Sequence, residues 1–98
     1  MWTLRIPEES ETGSLTFRIL PGSIKTIGRA TGTDFVVDAA LVSRVHCRLT
    51  VSDAGLLEVQ DLESTNGTWV NDRRVERLAL AAGDRLRVGR VELVVEQA

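Results

Sequence analysis

The sequence predicts an all-β fold, an antiparallel β-sandwich of about eleven short strands. Two observations carry that expectation. Apolar residues recur at every second position in short runs, the period of a strand with one buried face. Clusters of Gly, Pro, Asn and Asp interrupt those runs every few residues, and no stretch has a convincing helical period. Length and composition set the bounds. The chain has 98 residues, of which 43% are apolar, enough for a packed core in one domain spanning residues 1–98.

Each element follows from that pattern. Trp2, Leu4 and Ile6 alternate with Thr3 and Arg5 in a half-buried strand that ends at Pro7. Glu8 to Gly13 reads as a charged loop. Leu15, Phe17 and Ile19 mark a second strand, and Pro21-Gly22 a turn. Ile24 to Ile27 is a short β-branched strand, followed by the small-residue loop Gly28 to Asp34. Phe35 to Val37 is a brief strand, and residues 38–42 connect it to the next. There Val45, Cys47, Leu49 and Val51 are expected on one face, with His46, Arg48 and Thr50 on the other. Asp53-Ala54-Gly55 turns the chain into Leu57 and Val59. Leu62 is out of phase with them, which predicts a bulge or bend. Ser64-Thr65-Asn66-Gly67 reads as a polar tight turn, because Asn-Gly accepts positive φ. Trp69-Val70 is a strand and Asn71-Asp72 a second tight hairpin. Residues 76–82 contain good helix formers, but Leu78 and Leu80 alternate and Gly83 follows, so a strand is expected. Leu86 and Val88, then Val91, Leu93 and Val95, make a final hairpin around Gly89-Arg90.

Charge and cysteine content narrow the function. The formal net charge is −2, so no general attraction to nucleic acid or an anionic membrane follows, and any anion site must be local. The twelve basic residues are eleven Arg and one Lys, which suits bidentate anion contacts. The same ratio also arises from codon bias. The lone Cys47 forms no internal disulfide and points to a reducing, cytoplasmic setting. The start Met1 to Arg5 does not read as a signal peptide, and no apolar run approaches the ~20 residues of a membrane span.

Three polar clusters remain, Gly28-Arg29, Ser43-Arg44-Val45-His46 and Ser64-Thr65-Asn66-Gly67, each at a strand end or on a loop. Loops of a sandwich gather at its two ends, so the three can meet at one of them. Arg29 beside Gly28 is held close to rigid backbone and suits a phosphate, whose oxygens match the guanidinium fork. Ser43 with His46 raises a hydrolase reading, with Asp34, Asp38, Asp53 or Asp61 as orienter. Their side chains diverge at a strand entry, however, and no G-x-S-x-G elbow surrounds Ser43. His46 is better taken as a structural donor or acceptor. One Cys and one His cannot make a zinc site, and no calcium loop, Walker sequence or dinucleotide fingerprint is present, so no metal or cofactor is expected. Trp2 and Trp69 lack basic stripes around them and are expected in the core.

Taken in order, Gly28-Arg29, Ser43-x-x-His46 and Ser64-Thr65-Asn66-Gly67-Thr68 resemble the forkhead-associated (FHA) domain family. Asn71 and Gly83-Asp84-x-Leu86 continue the match, which spans about residues 24–90. The resemblance implies an eleven-stranded sandwich that binds phosphothreonine peptides through loops at one end, downstream of a Ser/Thr kinase. Arg29 and Ser43 look like the phosphate-binding pair, Thr65 like a second hydroxyl contact, and Asn66 like the holder of the peptide main chain. Arg44 stands where family members often carry a further polar or basic contact. Gly28, His46 and Gly67 match loop-shaping positions. Asp72 departs from the usual Gly after Asn71, which puts that turn's geometry in question. Leu41 is apolar where some members carry a polar or basic selectivity residue, so specificity beyond the phosphothreonine stays open.

The expected partner is therefore a phosphothreonine-containing protein or peptide, with no nucleic acid, membrane, cofactor or catalysis involved. The chain is expected to be a monomer, with self-association open. The rival reading is a phosphorylation-independent scaffold on the same fold. The Arg29, Ser43, Thr65 and Asn66 set argues against it, because a scaffold does not need all four.

Overall fold

The fold is given by a computed structural model that describes residues 1–7 and 14–97. The loop expected over Glu8 to Gly13 lies outside the described residues. Eleven strands follow in chain order: β1 (Trp2–Ile6), β2 (Leu15–Ile19), β3 (Ile24–Gly28), β4 (Phe35–Val36), β5 (Cys47–Val51), β6 (Leu57–Asp61), β7 (Thr68–Val70), β8 (Arg73–Val75), β9 (Arg77–Ala79), β10 (Arg85–Val88) and β11 (Val91–Gln97). They form a six-stranded sheet, β2-β1-β11-β10-β7-β8, and a five-stranded sheet, β4-β3-β5-β6-β9. Among the described residues there is no helix, and the expected β-sandwich is borne out.

Alternation explains why the sheets face each other. In β11, Val91, Leu93 and Val95 are buried while Glu92 and Glu96 are exposed. The register Leu4↔Val95 and Leu86↔Leu93 lines inward residues up across three strands. The second sheet does the same through Leu49↔Val59 and Val51↔Leu57. Burying each such side chain contributes about 1.5–3 kcal/mol. The rigidity that results is what the loops at the ends are mounted on.

Several expectations are corrected. Pairing is antiparallel except for β4, which runs parallel to β3 over Ile27↔Phe35. The wide loop between them is pinned by the buried hydroxyl of Thr33, which donates to the Ala30 carbonyl at 2.7 Å. Val45 does not share a face with Cys47: it is 46% exposed, whereas His46 is fully buried. β5 begins only at Cys47, and the irregular backbone before it shifts the phase. Asn66-Gly67 is not a hairpin turn. β6 and β7 belong to different sheets, so residues 62–67 carry the chain across the sandwich. The strand expected over 76–82 shrinks to β9 at a sheet edge, where Leu78 stays exposed and only Leu80 enters the core. Trp2 is a core residue, but Trp69 is not. It faces outward from β7 under Arg87, whose guanidinium carbon lies 4.8 Å from the ring centroid.

The Asn71-Asp72 hairpin forms as expected. Both residues have positive φ, 50° and 67°, and Val70 pairs with Arg73. Asp tolerates the left-handed region better than most residues, so Gly is dispensable here. Asn71 also ties this turn to the next one. Its amide donates to Asp84, and its side-chain oxygen accepts from the Arg85 N–H, both at 3.0 Å.

Candidate functional site

Three loops converge at one end of the sandwich: residues 29–34, 37–46 and 62–67. The first two are zipped together by backbone. The Arg29 N–H donates to the Ser43 carbonyl at 2.9 Å, and the Ala30 N–H to the Arg44 carbonyl at 3.0 Å. Gly28 makes that approach possible. A Cβ there would lie 2.1 Å from the Arg44 carbonyl oxygen, so the glycine serves a close backbone contact rather than a left-handed turn.

His46 joins the second loop to the third. Its ring is fully buried. Nδ1 accepts from the Ser43 N–H at 3.1 Å, and Nε2 meets the Gly67 carbonyl at 2.8 Å. A carbonyl only accepts and an N–H only donates, so the neutral tautomer with hydrogen on Nε2 satisfies both. Burial holds the His46 pKa below the ordinary imidazole value, although the Gly67 carbonyl and Asp61 pull the other way. Its backbone extends the link, with the N–H on the Ile27 carbonyl at 2.8 Å and the carbonyl accepting from Leu62 at 3.0 Å. The ring touches the Ser43 backbone and not its hydroxyl, so this serine and histidine do not form a nucleophile–base pair.

The third loop is built on Asp61, a residue the sequence offered only as one of four interchangeable carboxylates. Its Oδ1 accepts from the hydroxyls of Ser64 and of Thr68, the latter at 2.7 Å, and its Oδ2 from the Ser64 N–H at 3.2 Å. Burial alone would raise its pKa, but these donors and nearby His46 hold it below the usual carboxylate value. Ser64 in turn accepts from the Gly67 N–H at 3.0 Å. Gly67 has φ of +87°, and a Cβ there would lie 2.7 Å from Arg74 Nε. Trp69 braces the same loop from outside, its indole N–H donating to the Asn66 carbonyl at 3.1 Å. The Asp61-x-x-Ser64 spacing, typical of side-chain-closed turns, was the available signal for Asp61. Nothing in the sequence marked Trp69.

On this frame the groups singled out from the sequence come together. Arg29 uses Nε on the Val42 carbonyl at 3.1 Å, which fixes the side chain and leaves the two terminal nitrogens of its fork for a ligand. Ser43 Oγ accepts from the Thr65 N–H at 3.0 Å, so its hydroxyl hydrogen remains to donate outward. Asn66 Nδ2 donates to the Leu41 carbonyl at 3.0 Å, orienting the amide while its oxygen stays free to accept among the described residues. Arg29, Ser43, Arg44, Thr65 and Asn66 line one open groove of about 600 Å³, together with Leu41, Val45 and Glu63. A larger cleft of about 900 Å³, between Gln60 and Arg77, contains neither Arg29 nor Ser43.

Leu41 carries strain. Its φ is 71°, a region costly for a branched side chain. It is held there by Asn66 and by the turn at Gly89, where a Cβ would come within 2.9 Å of the Leu41 carbonyl carbon. The thiol of Cys47, behind the site, is not a nucleophile: burial, with Asp61 adding to it, pushes its pKa up to about 12. Among the described residues no cluster of His, Cys, Asp and Glu is arranged to hold a metal ion.

Comparison with known proteins agrees with this geometry. The family model for the FHA domain matches residues 25–89. The chain is 40% identical over 82 residues to the ABC transporter ATP-binding/permease protein Rv1747 of Mycobacterium tuberculosis, covering 84% of this chain and 9% of that protein. It spans less than half the length of the curated relatives it matches. Two solved structures are similar over nearly the whole chain. One, from work on phosphothreonine-dependent FHA domain interactions, has a TM-score of 0.86 at 33% identity and covers 99% of this chain and 96% of its own. The other, the FhaA FHA domain complexed with the intracellular domain of Rv3910, has a TM-score of 0.86 at 32% identity and covers 98% and 100%. With the family match, the sandwich and the three converging loops in agreement, this chain belongs to the FHA domain family.

Proposed function

We propose that this chain is a phosphothreonine-dependent interaction module that docks onto partner proteins marked by a Ser/Thr kinase. The observation that carries the reading is the single groove that Arg29, Ser43, Arg44, Thr65 and Asn66 line together. A phosphate of charge near −2 has three acceptor oxygens and needs several donors at once. The Arg29 fork and the Ser43 and Thr65 hydroxyls supply them from separate loops that are already tied together, so little ordering entropy opposes binding. Asn66 then holds the peptide backbone next to the phosphoresidue. The His46 ring is hydrogen-bonded to the Ser43 N–H while the Ser43 hydroxyl is bonded to the Thr65 N–H, which supports binding rather than chemistry on the phosphate.

The test is titration with a phosphothreonine peptide and its unphosphorylated form, on the parent chain and on Arg29→Ala and Ser43→Ala. Charge-assisted hydrogen bonds are worth about 1.5–3 kcal/mol each. Each variant is expected to bind about tenfold to hundredfold more weakly, with the fold of Arg29→Ala intact because the side chain is at the surface. Unchanged affinity in Arg29→Ala removes the phosphate assignment. Equal binding of both peptides by the parent favours the phosphorylation-independent scaffold.

A further inference from the structure

Arg29 and Arg44 stand between two concavities rather than at the edge of one. On one side is the groove just described. On the other is a notch of about 320 Å³, lined by the same two arginines with Ala30, Thr31 and Gly32. The Arg44 side chain has no hydrogen bond or ion pair among the described residues; the pairs present there are Arg5–Glu96 and Arg77–Glu58. Its planar fork carries five donors, enough to serve an anion on each side. The Thr31 hydroxyl adds a further donor to the notch, and no carboxylate lines it. Glu63, by contrast, lines the main groove. Charge is therefore unevenly placed around the phosphate position: the charged residues lining the notch are both basic, whereas Glu63 lines the main groove and the larger cleft but not the notch.

We infer that the site reads a second anionic group on the same peptide, a carboxylate or a further phosphate, seated in the notch against Arg29, Arg44 and Thr31. The inference rests on the phosphothreonine reading of the main groove and adds a sequence preference to it. Acidic residues on one side of the phosphothreonine strengthen binding, and acidic residues on the side nearer Glu63 do not. An exposed charge pair contributes modestly and a charge-assisted hydrogen bond more, so a gain of about threefold to tenfold is expected from the second anion. The gain shrinks at high salt.

Gly32 offers a clean test. Nothing lies within 4 Å of a Cβ placed there, and its φ is not in the left-handed region, so a side chain can be added at this lining position of the notch without disturbing the fold. A phosphothreonine peptide is titrated alongside versions carrying Asp, or phosphoserine, at each of the three positions before and after the phosphothreonine. Parent, Gly32→Glu and Gly32→Lys are compared. The expected result is a gain confined to one side of the phosphothreonine, abolished in Gly32→Glu and enlarged in Gly32→Lys. The Asp and phosphoserine arms tell a carboxylate from a second phosphate. If the singly phosphorylated peptide binds the parent but no added anion helps, or if the gain persists in Gly32→Glu, the notch is not an anion subsite. If the singly phosphorylated peptide itself fails to bind, the reading of the main groove falls, and this inference falls with it.

Discussion

Replacing His46 by alanine tests whether the converging loops are held by the mechanism described. The ring makes one hydrogen bond to each of two loops, to the Ser43 N–H and the Gly67 carbonyl. Removing it leaves both groups short of a partner, at about 1–3 kcal/mol each. The void that remains is lined by polar groups, so water enters and returns part of the loss. A net destabilisation of about 2–5 kcal/mol follows, against the 5–15 kcal/mol typical of whole domains. For a chain of this size each kcal/mol moves the midpoint by about 4–8 °C, so Tm is expected to fall by about 8–40 °C. Thermal denaturation without peptide measures this directly, and amide exchange at Ser43 should accelerate. At temperatures where the variant is still folded, phosphopeptide affinity falls because Ser43 and the 62–67 loop are no longer in register. A variant that melts within about 3 °C of the parent refutes the bridging role. If that variant also lost binding outright, His46 would be a direct ligand contact.

The other predictions follow from the same geometry. Because the folded His46 pKa lies below the ordinary value of 6.5, the unfolded chain binds the extra proton first. The stability that neutral His46 contributes is thus fully present above pH 6.5 and is lost as pH falls below it. A peptide-free melt between pH 7.5 and 5 should show the decline, and His46→Ala should flatten it. Peptide binding should weaken in the same range for a second reason, since the phosphate takes up its second proton near pH 6; the peptide-free melt separates the two. Gly28→Ala forces its Cβ to within 2.1 Å of the Arg44 carbonyl oxygen. It should cost about 2 kcal/mol or more by overpacking and weaken phosphopeptide binding, while Gly32→Ala, with open space around it, should leave Tm unchanged or slightly raised. A normal melt for Gly28→Ala would refute the close-approach argument.

The strands were legible because period-2 burial is a local property: Trp2, Leu4 and Ile6, or Val91, Leu93 and Val95, announce a face without help from the rest of the chain. The Asn71-Asp72 turn was legible for the same reason, its conformation being set by two residue types. The errors sit where backbone is irregular or partners are distant. Val45 and His46 read as one strand with Cys47, but the chain bends there so that a histidine can be buried between two loops. The hydrogen bonds that compensate that burial come from Ser43 and Gly67, the latter 21 residues away. Asn66-Gly67 looked like a hairpin because local turn chemistry does not say which sheet the next strand joins. Arg29, Ser43, Arg44, Thr65 and Asn66, proposed here as the site, drew notice through ordered motifs and line one groove. The supporting roles of Asp61 and Trp69, which hold Ser64 and Asn66, were missed: Asp61 stood among four equivalent carboxylates with only its spacing to Ser64 to mark it, and Trp69 read as a core residue.

The central claim is that the groove reads phosphothreonine, and calorimetry on four matched peptides tests it most directly. They carry phosphothreonine, phosphoserine, glutamate or unmodified threonine at one position of the same sequence. The account predicts that phosphothreonine binds tightest, with phosphoserine weaker by at least the worth of one buried methyl, about 0.8 kcal/mol or fourfold. Glutamate should fail, having fewer acceptor oxygens and less charge than a phosphate near −2, and unmodified threonine should fail with it. Equal affinity for all four peptides would contradict the account, because Arg29, Ser43 and Thr65 would then serve the fold or a different partner.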